Sequence, residues 1–237
     1  MGVIVEFNGL TGCGKTTLRK DFLDILGDDG QIYYETIEAG KSVRLNLNKY
    51  AYKNFSIRHL SLGWLVATVR YVFLWFMALV MSNNQSLSRK KRYLKKGLLL
   101  WIVYRIFEKD CEDRSLLLVD EGIICSLASL IHTGRYSNLI CKDIVRSLAY
   151  YKNAIIVNFE VDFDWSYHNI RNRKANSRFD KMSEEDLAAA LKCKAELFLF
   201  LQELTTLCGL NILSIQSQKN RSDNANMLRE KINERVN

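Results

Sequence analysis

The sequence predicts an α/β fold in which a mostly parallel five-stranded sheet is flanked by helices, and three observations support this. Apolar runs of strand length alternate with longer stretches of helical periodicity, as in parallel sheets. A glycine-rich motif separates the first run from a helix. The 237 residues are 48% hydrophobic and 25% charged, which excludes collagen-like and disordered chains. The strand candidates are residues 3–7, 32–35, 116–119, 154–159 and 210–215.

The first element after strand 3–7 is a phosphate-binding motif, Gly9-Leu-Thr-Gly-Cys-Gly-Lys-Thr16. In a GxxxxGK[ST] loop, backbone N–H groups surround phosphate oxygens and the next helix adds the positive end of its dipole. Lys15 is expected to reach the β- and γ-phosphates of ATP, and the Thr16 hydroxyl to bind Mg²⁺. The predicted nucleotide-binding residues are Gly9, Thr11, Gly12, Cys13, Gly14, Lys15, Thr16 and Thr17.

The strand at 116–119 is followed directly by Asp120 and Glu121. A nucleotide-bound Mg²⁺ needs a carboxylate from the end of a strand beside the loop, and Asp120 fits that position. Thr16 and Asp120 are therefore the predicted metal ligands. The six cysteines contain no CxxC pair, so free thiols in a reducing cytoplasm are expected rather than a zinc site.

Several segments, taken in order, resemble the thymidylate kinases, a family of nucleoside-monophosphate-kinase-like P-loop kinases. Residues 120–128, Asp-Glu-Gly-Ile-Ile-Cys-Ser-Leu-Ala, resemble the family's DRYxxSSLA segment, and residues 36–40 resemble its TREPG turn. The resemblance covers most of the chain outside about 75–110. It implies the three-layer P-loop NTPase fold and phosphoryl transfer from Mg-ATP to a small, phosphorylated acceptor.

The resemblance also implies an acceptor site and a lid. Arg70 lies in a segment similar to the helix in which the family places an arginine that binds the acceptor's phosphate. A structural ion pair or snorkelling is the alternative for an arginine in an apolar helix. Glu121 and Ile37 stand where the family has arginines, which makes thymidylate a poor acceptor, and Arg44 is a candidate replacement. The predicted acceptor-binding residues are Glu38, Arg44, Arg70 and Glu121.

The lid is predicted at residues 169–182, a polar stretch rich in arginine. Guanidinium groups brought over the transferred phosphoryl group stabilise the negative charge on its oxygens. A solvated basic loop is the alternative interpretation. The predicted catalytic residues are Lys15, Arg171, Arg173 and Arg178.

The segment 55–109 is predicted to be an apolar and basic helical insertion within a single domain that spans 1–237. Residues 51–109 hold 11 Lys and Arg against one acidic residue, Glu108, and so account for the net charge of +8. Residues 60–81 are long and apolar enough to cross a bilayer, but one crossing would separate Lys15 from Asp120. Two alternatives follow: a buried helix, or a helical hairpin at 60–104 on an anionic membrane surface.

The sequence thus predicts an ATP-dependent, Mg²⁺-requiring P-loop kinase in the cytoplasm, with the inner face of the membrane as an optional location. A nucleotide-hydrolysing switch, a membrane-docked nucleotide-binding module, and a kinase for a sugar or lipid-linked acceptor are the alternatives. The expected partners are a nucleotide and a small-molecule acceptor. No nucleic-acid partner is expected, and a homodimer is left open.

Overall fold

A computed structural model gives the arrangement of most of the chain. It describes residues 3–26, 32–35, 51, 53–81, 86–110, 116–131, 137–160, 162–172, 179–216 and 221–236. The sequence also predicts a helix around 45–52, and this segment lies almost entirely outside the described residues.

A parallel sheet forms the centre of the fold. Its strands are β1 (Val3–Asn8), β2 (Ile32–Glu35), β3 (Leu116–Val119), β4 (Ala154–Phe159) and β5 (Ile212–Ile215). They lie in the order β2-β3-β1-β4-β5, and each neighbouring pair is parallel. The predicted α/β fold with a parallel sheet is therefore confirmed.

The pairing of β1 with β3 positions the candidate site. Val3 lies opposite Leu116 and Glu6 opposite Val119, so the two strands run in step. Because parallel strands end at the same edge of a sheet, the glycine-rich loop after β1 and the acidic turn after β3 meet there. All six residues of β1 and all four of β3 are buried, as is typical of a parallel sheet covered on both faces.

Helices connect the strands. They are α1 (Lys15–Leu26), α2 (Leu62–Met81), α3 (Leu87–Asp110), α4 (Ile123–Ile131), α5 (Asn138–Ser147), α6 (Phe163–Asn172), α7 (Glu184–Leu207) and α8 (Arg221–Val236). The sequence predicts that Ser183 caps α7, and the Ser183 hydroxyl accepts from the backbone N–H of Asp186 at 3.1 Å. The sequence also predicts a helix at 142–150, whereas α5 begins at Asn138 and ends at Ser147, before a short 3-10 turn.

The predicted insertion folds as two long helices, α2 and α3, that pack against each other. Residues 89–96 are mostly basic and residues 98–104 are mostly apolar. The two stretches are not separate segments, because both belong to the 24-residue helix α3. The rings of Tyr71 and Trp101 stack with centroids 4.3 Å apart. The Trp101 indole N–H also donates to the Thr68 hydroxyl at 2.9 Å. These contacts fix one face of α2 within the fold.

In the part of the chain that the structure describes, α2 is the one helix long and apolar enough to cross a membrane by length and composition. Its mean hydropathy is 1.8, and 33% of the apolar window is buried in the protein. The buried face carries Trp64, Tyr71, Leu74, Trp75 and Ala78. Since these side chains join the core, α2 is a structural helix with a second, exposed face.

The close contact between α2 and α3 requires a glycine at position 97, where there is no room for a side chain. A Cβ atom there would lie 2.7 Å from the ring of Trp75, which is fully buried. We expect Gly97→Ala to lower the free energy of unfolding by about 1–3 kcal/mol, because overpacking outweighs the better helix propensity of alanine. Urea denaturation followed by circular dichroism measures this change.

The matched control is Gly63→Ala in α2, where an added Cβ meets no atom within 4 Å. This variant should be neutral or more stable by up to about 1 kcal/mol. Equal stabilities for the two variants would contradict the packing described between Trp75 and Gly97.

Candidate nucleotide-binding site

The loop between β1 and α1 has the conformation of a phosphate cradle. Gly12 and Gly14 have φ values of 88° and 102°, a left-handed conformation that glycine adopts without strain. The Lys15 ammonium donates to the carbonyl oxygens of Gly9 and Leu10 at 2.8 and 2.7 Å. In this arrangement the Lys15 ammonium binds carbonyl oxygens of its own loop. Phosphate oxygens would take the place of these two carbonyl oxygens as its hydrogen-bond acceptors.

A cavity of about 420 Å³ opens over this loop, within the range of small-molecule sites. The predicted residues from Thr11 to Thr17 line it, and Glu121 stands at its rim. Five further lining residues with polar side-chain atoms are not predicted from the sequence: Asp21, Trp165, Asn169, Arg221 and Asn224. They come from three helices, and no motif marks them in the sequence.

Helix α6 is attached to the loop directly. The Asn169 amide donates to the carbonyl oxygen of Gly12 at 2.9 Å, and Trp165 presents a ring that is 37% exposed. The loop is thus held by a helix whose last four residues are the first four of the predicted lid. A movement of α6 would therefore change the shape of the loop.

Asp120 lies at the end of β3 with one oxygen paired and the other unpaired. Its Oδ2 accepts from Arg19 of α1 in a buried ion pair. Its Oδ1 is buried with no hydrogen-bond partner among the described residues. Burial raises the pKa of Asp120, while Arg19 and Lys15 oppose the shift.

This geometry fits the predicted metal site. A buried carboxylate oxygen without a partner is costly unless a cation or donor satisfies it. Within the described residues no cluster of three His, Cys, Asp or Glu side chains could hold a metal alone. Mg²⁺ at a nucleotide site needs only one or two protein oxygens besides phosphates and water, so Thr16 and Asp120 are a sufficient donor set.

Glu121 is held by the insertion. Lys96 of α3 donates to Glu121 Oε2 at 3.0 Å, and this lysine is the main cause that lowers the pKa of Glu121. The charge of Lys15 lowers that pKa further. The basic segment thus reaches the mouth of the cavity through this ion pair. Its partner, Glu121, stands at the position where the resembling thymidylate kinase segment has an arginine.

A second carboxylate, Glu6, organises the turn that carries Asp120 and Glu121. Glu6 is fully buried in β1, and it accepts from the Ile124 backbone N–H at 2.6 Å and the Tyr104 hydroxyl at 2.8 Å. A Cβ on Gly122 would lie 2.0 Å from the Glu6 carboxyl carbon, so only glycine fits there. The signal for this role in the sequence is a charged residue inside the otherwise apolar run 3–7, although Glu6 is not among the predicted site residues.

Two predicted arginines lie outside the cavity lining. Arg70 is 61% exposed in its side chain and pairs with Asp143 of α5 at 3.4 Å, as in the ion-pair alternative. Arg171, at the end of α6, donates to the carbonyl oxygen of Met182 at 3.1 Å and lies over the ring of Tyr167. The predicted residues Glu38, Arg44, Arg173 and Arg178 lie outside the described part of the chain.

The structure thus combines a parallel α/β sheet with a GxxxxGK[ST] loop between β1 and α1. No protein-family model and no curated protein matches the sequence. Among solved structures, deoxyadenosine kinase from M. mycoides with bound dATP is similar with a TM-score of 0.45 and 14% identity, over 98% of this chain and 99% of that one. The thymidine kinase EHV4-TK, complexed with TP4A, has a TM-score of 0.38 and 11% identity, over 98% and 90%.

The burial of Glu6 generates a prediction about pH and stability. Burial raises the pKa of Glu6 despite its hydrogen bonds, so its contribution is most favourable below about pH 4.5 and is lost as pH rises. Glu6→Gln keeps an acceptor for Ile124 and a partner for Tyr104 without this titration. We expect the stability difference between Glu6→Gln and wild type to shift in favour of the variant from pH 4.5 to pH 8.

Urea unfolding at several pH values measures this difference. Glu6→Ala serves as the reference for lost hydrogen bonds, since it leaves two buried donors unsatisfied at about 1–3 kcal/mol each. A stability difference between wild type and Glu6→Gln that does not change with pH would contradict the assignment.

Proposed function

We propose that this protein is an ATP-dependent phosphotransferase with the three-layer P-loop architecture and a five-stranded sheet. One observation carries the proposal: Lys15 lies in the loop that lines the cavity, and Asp120, with its unpaired Oδ1, lies at the same edge of the sheet, near enough for the charge of Lys15 to oppose the rise in its pKa. A phosphate-binding cation and a metal-binding carboxylate at one edge of the sheet are what Mg-ATP requires. Mg²⁺, when bound, would neutralise charge on the β- and γ-phosphates.

The loop and its lysine bind and orient the triphosphate. Lys15 would exchange the carbonyl oxygens of Gly9 and Leu10 for phosphate oxygens, and the backbone N–H groups of residues 11–16 would enclose the β-phosphate. A bond then forms between the acceptor hydroxyl oxygen and the γ-phosphorus as the bond from that phosphorus to the β,γ-bridging oxygen breaks, so ADP leaves with the bridging oxygen and the hydroxyl proton passes to solvent. We propose that Arg171, in the predicted lid, leaves its contact with Met182 and approaches the transferred group when the lid closes.

The charge at the mouth of the cavity favours an acceptor without a phosphate. Glu121 is ionised and stands where a cationic side chain would otherwise bind the acceptor's phosphate. An anion at this position repels a nucleoside monophosphate and can accept a hydrogen bond from a hydroxyl or an amino group. We therefore propose a nucleoside as the acceptor, in place of the phosphorylated acceptor expected from the sequence.

Lys15→Ala tests the mechanism. We expect transfer of labelled γ-phosphate to fall by at least about 10²-fold, because one preorganised contact to the developing charge is lost. Lys20→Ala, which removes an exposed lysine from the same helix, should keep full activity. Label that appears on inorganic phosphate alone would indicate a hydrolase, and undiminished transfer by Lys15→Ala would refute the mechanism.

Glu121→Arg tests the acceptor class. Wild type should phosphorylate nucleosides in preference to thymidine monophosphate, and Glu121→Arg should improve the use of the monophosphate. One charge-assisted contact of about 1.5–3 kcal/mol corresponds to roughly a 10- to 100-fold gain in kcat/KM for the monophosphate.

Glu121→Gln is the control for loss of charge alone and should give a smaller gain than Glu121→Arg. Efficient use of thymidine monophosphate by wild type would contradict the proposed acceptor. A sugar or a lipid extract that accepts phosphate better than any nucleoside would do the same.

A further inference from the structure

Arg19, in the second turn of α1, is a buried arginine paired with a predicted metal ligand. Its side chain is 9% exposed, whereas the neighbouring Lys20 is exposed. A buried guanidinium group is unfavourable unless an acceptor compensates for its lost hydration. Arg19 donates to Oδ2 of Asp120, which lies 101 residues further along the chain, directly after β3. The ion pair therefore joins α1 to the turn that carries the predicted metal ligand.

Arg19 lies outside the nucleotide cavity. In α1 the lining of the cavity consists of residues 15–18 and Asp21, and Arg19 is absent from the lining residues that the structure describes. A group in this position has no contact with a nucleotide bound in the cavity. Any effect of Arg19 on that nucleotide is therefore transmitted by its partner, Asp120.

The spacing along α1 connects Arg19 with the other predicted metal ligand. Thr16 and Arg19 are three residues apart in one helix. Residues at this spacing are neighbours on the helix surface, with Cβ atoms about 5–6 Å apart. The same helix thus carries the Thr16 hydroxyl and, one turn later, the group that holds Asp120. The separation of the two predicted ligands is therefore set by α1, and not by the turn after β3 alone.

The two carboxylate oxygens of Asp120 differ in their partners. Oδ2 accepts from Arg19, while Oδ1 has no hydrogen-bond partner among the described residues. A carboxylate held at one oxygen keeps the other oxygen in one direction. Carboxylates that bind metals are usually held in this way, and loss of the supporting partner typically costs about 10- to 100-fold in metal affinity. The pairing of Asp120 is that of a supported metal ligand.

The ion pair also has a consequence for charge. The Asp120 carboxylate and the Arg19 guanidinium together have no net charge, and the Thr16 hydroxyl is neutral. Mg²⁺ gives up its water reluctantly and is usually bound by one or two carboxylates together with substrate phosphates. The negative charge that attracts Mg²⁺ to these groups therefore comes from the nucleotide, and the protein supplies an oriented oxygen.

We propose that Arg19 is a positioning residue for the Mg²⁺ of the bound nucleotide. By holding Oδ2 of Asp120, it presents Oδ1 to the metal at a fixed separation from Thr16. This inference rests on the proposed function, because it requires a nucleotide-bound metal at Thr16 and Asp120. The alternative role of the ion pair is to stabilise the fold, and the two roles predict different effects on metal-dependent binding.

Isothermal titration calorimetry of the full chain with the β,γ-imido analogue of ATP tests the proposal without turnover. The dissociation constant is measured in Mg²⁺ and in EDTA, and the ratio of the two constants is the gain in affinity due to the metal. We expect Arg19→Met to reduce this gain by roughly 10- to 100-fold and to leave the affinity in EDTA unchanged. Arg19→Lys keeps the charge but lacks the planar fork of donors, so its loss should be smaller.

Arg105→Met is the matched control. Arg105 of α3 is similarly buried, with 6% of its side chain exposed, and it pairs with Glu108 at 3.4 Å. Loss of either arginine leaves a buried carboxylate without its partner and destabilises the fold. Arg105→Met should therefore lower the midpoint of thermal unfolding, as Arg19→Met does, but it should keep the wild-type gain from Mg²⁺.

Asp120→Asn shows whether Arg19 acts through the carboxylate. In this background, Arg19→Met should cause no further loss of the gain from Mg²⁺, because the ligand that Arg19 positions is already absent. The double variant also contains no unpaired buried charge at this site, so its folding does not depend on the ion pair. A further loss in the double variant would contradict the assigned role.

Two results would refute the role of Arg19 and leave the proposed function intact. One is a wild-type gain from Mg²⁺ in Arg19→Met and Arg19→Lys, or in Arg19→Lys alone where Arg19→Met does not fold. The other is a larger gain in Arg19→Met, since Arg19 would then compete with the metal. A wild type that binds the analogue equally in Mg²⁺ and in EDTA would instead overturn the metal site itself, on which the proposed function depends.

Discussion

The candidate site depends on the parallel pairing of β1 with β3. This pairing brings the end of one strand, where the chain turns into the phosphate loop, beside the end of the other, where Asp120 stands. Neither segment could bind Mg-ATP by itself, since the loop holds phosphates and the carboxylate holds the metal. Glu6 strengthens the pairing, because a side chain of β1 accepts hydrogen bonds from the N-terminus of the helix that follows β3. Burial of that carboxylate is unfavourable, which indicates that the position of the turn matters to the protein.

Much of the fold could be predicted from the sequence because strands and helices differ in hydrophobic period. The runs at 116–119 and 154–159 are strands with those same limits. Helix α4 is not among the predicted elements, because nearly all of its residues from Ile123 to Ile131 are buried and no charged residue marks an exposed face. A uniformly apolar helix and a buried strand look alike over nine residues.

The candidate site, like the fold, could be predicted from the sequence only in part. The loop and Asp120 are recognisable because phosphate binding requires particular residues at a fixed spacing. Arg19, Asn169 and Lys96 reach the site through long-range packing of three helices, and no local pattern records such contacts. Arg70 is the opposite case. A charge in an apolar helix is conspicuous in the sequence, but its partner, Asp143 of α5, lies far along the chain and carries no such signal.

Two parts of the insertion make different contacts, and this explains why its sequence is both apolar and basic. The inner side of α2 and α3 is an aromatic core in which Tyr71 stacks on Trp101, so it must be apolar. The basic half of α3 reaches the cavity, where Lys96 pairs with Glu121 and lowers the pKa of its carboxyl group. Glu121 would repel ATP phosphates if it were unpaired, because like charges at a phosphate site oppose binding. The proposed discrimination against a phosphorylated acceptor therefore requires both residues: Glu121 supplies the negative charge, and Lys96 limits its reach toward the nucleotide.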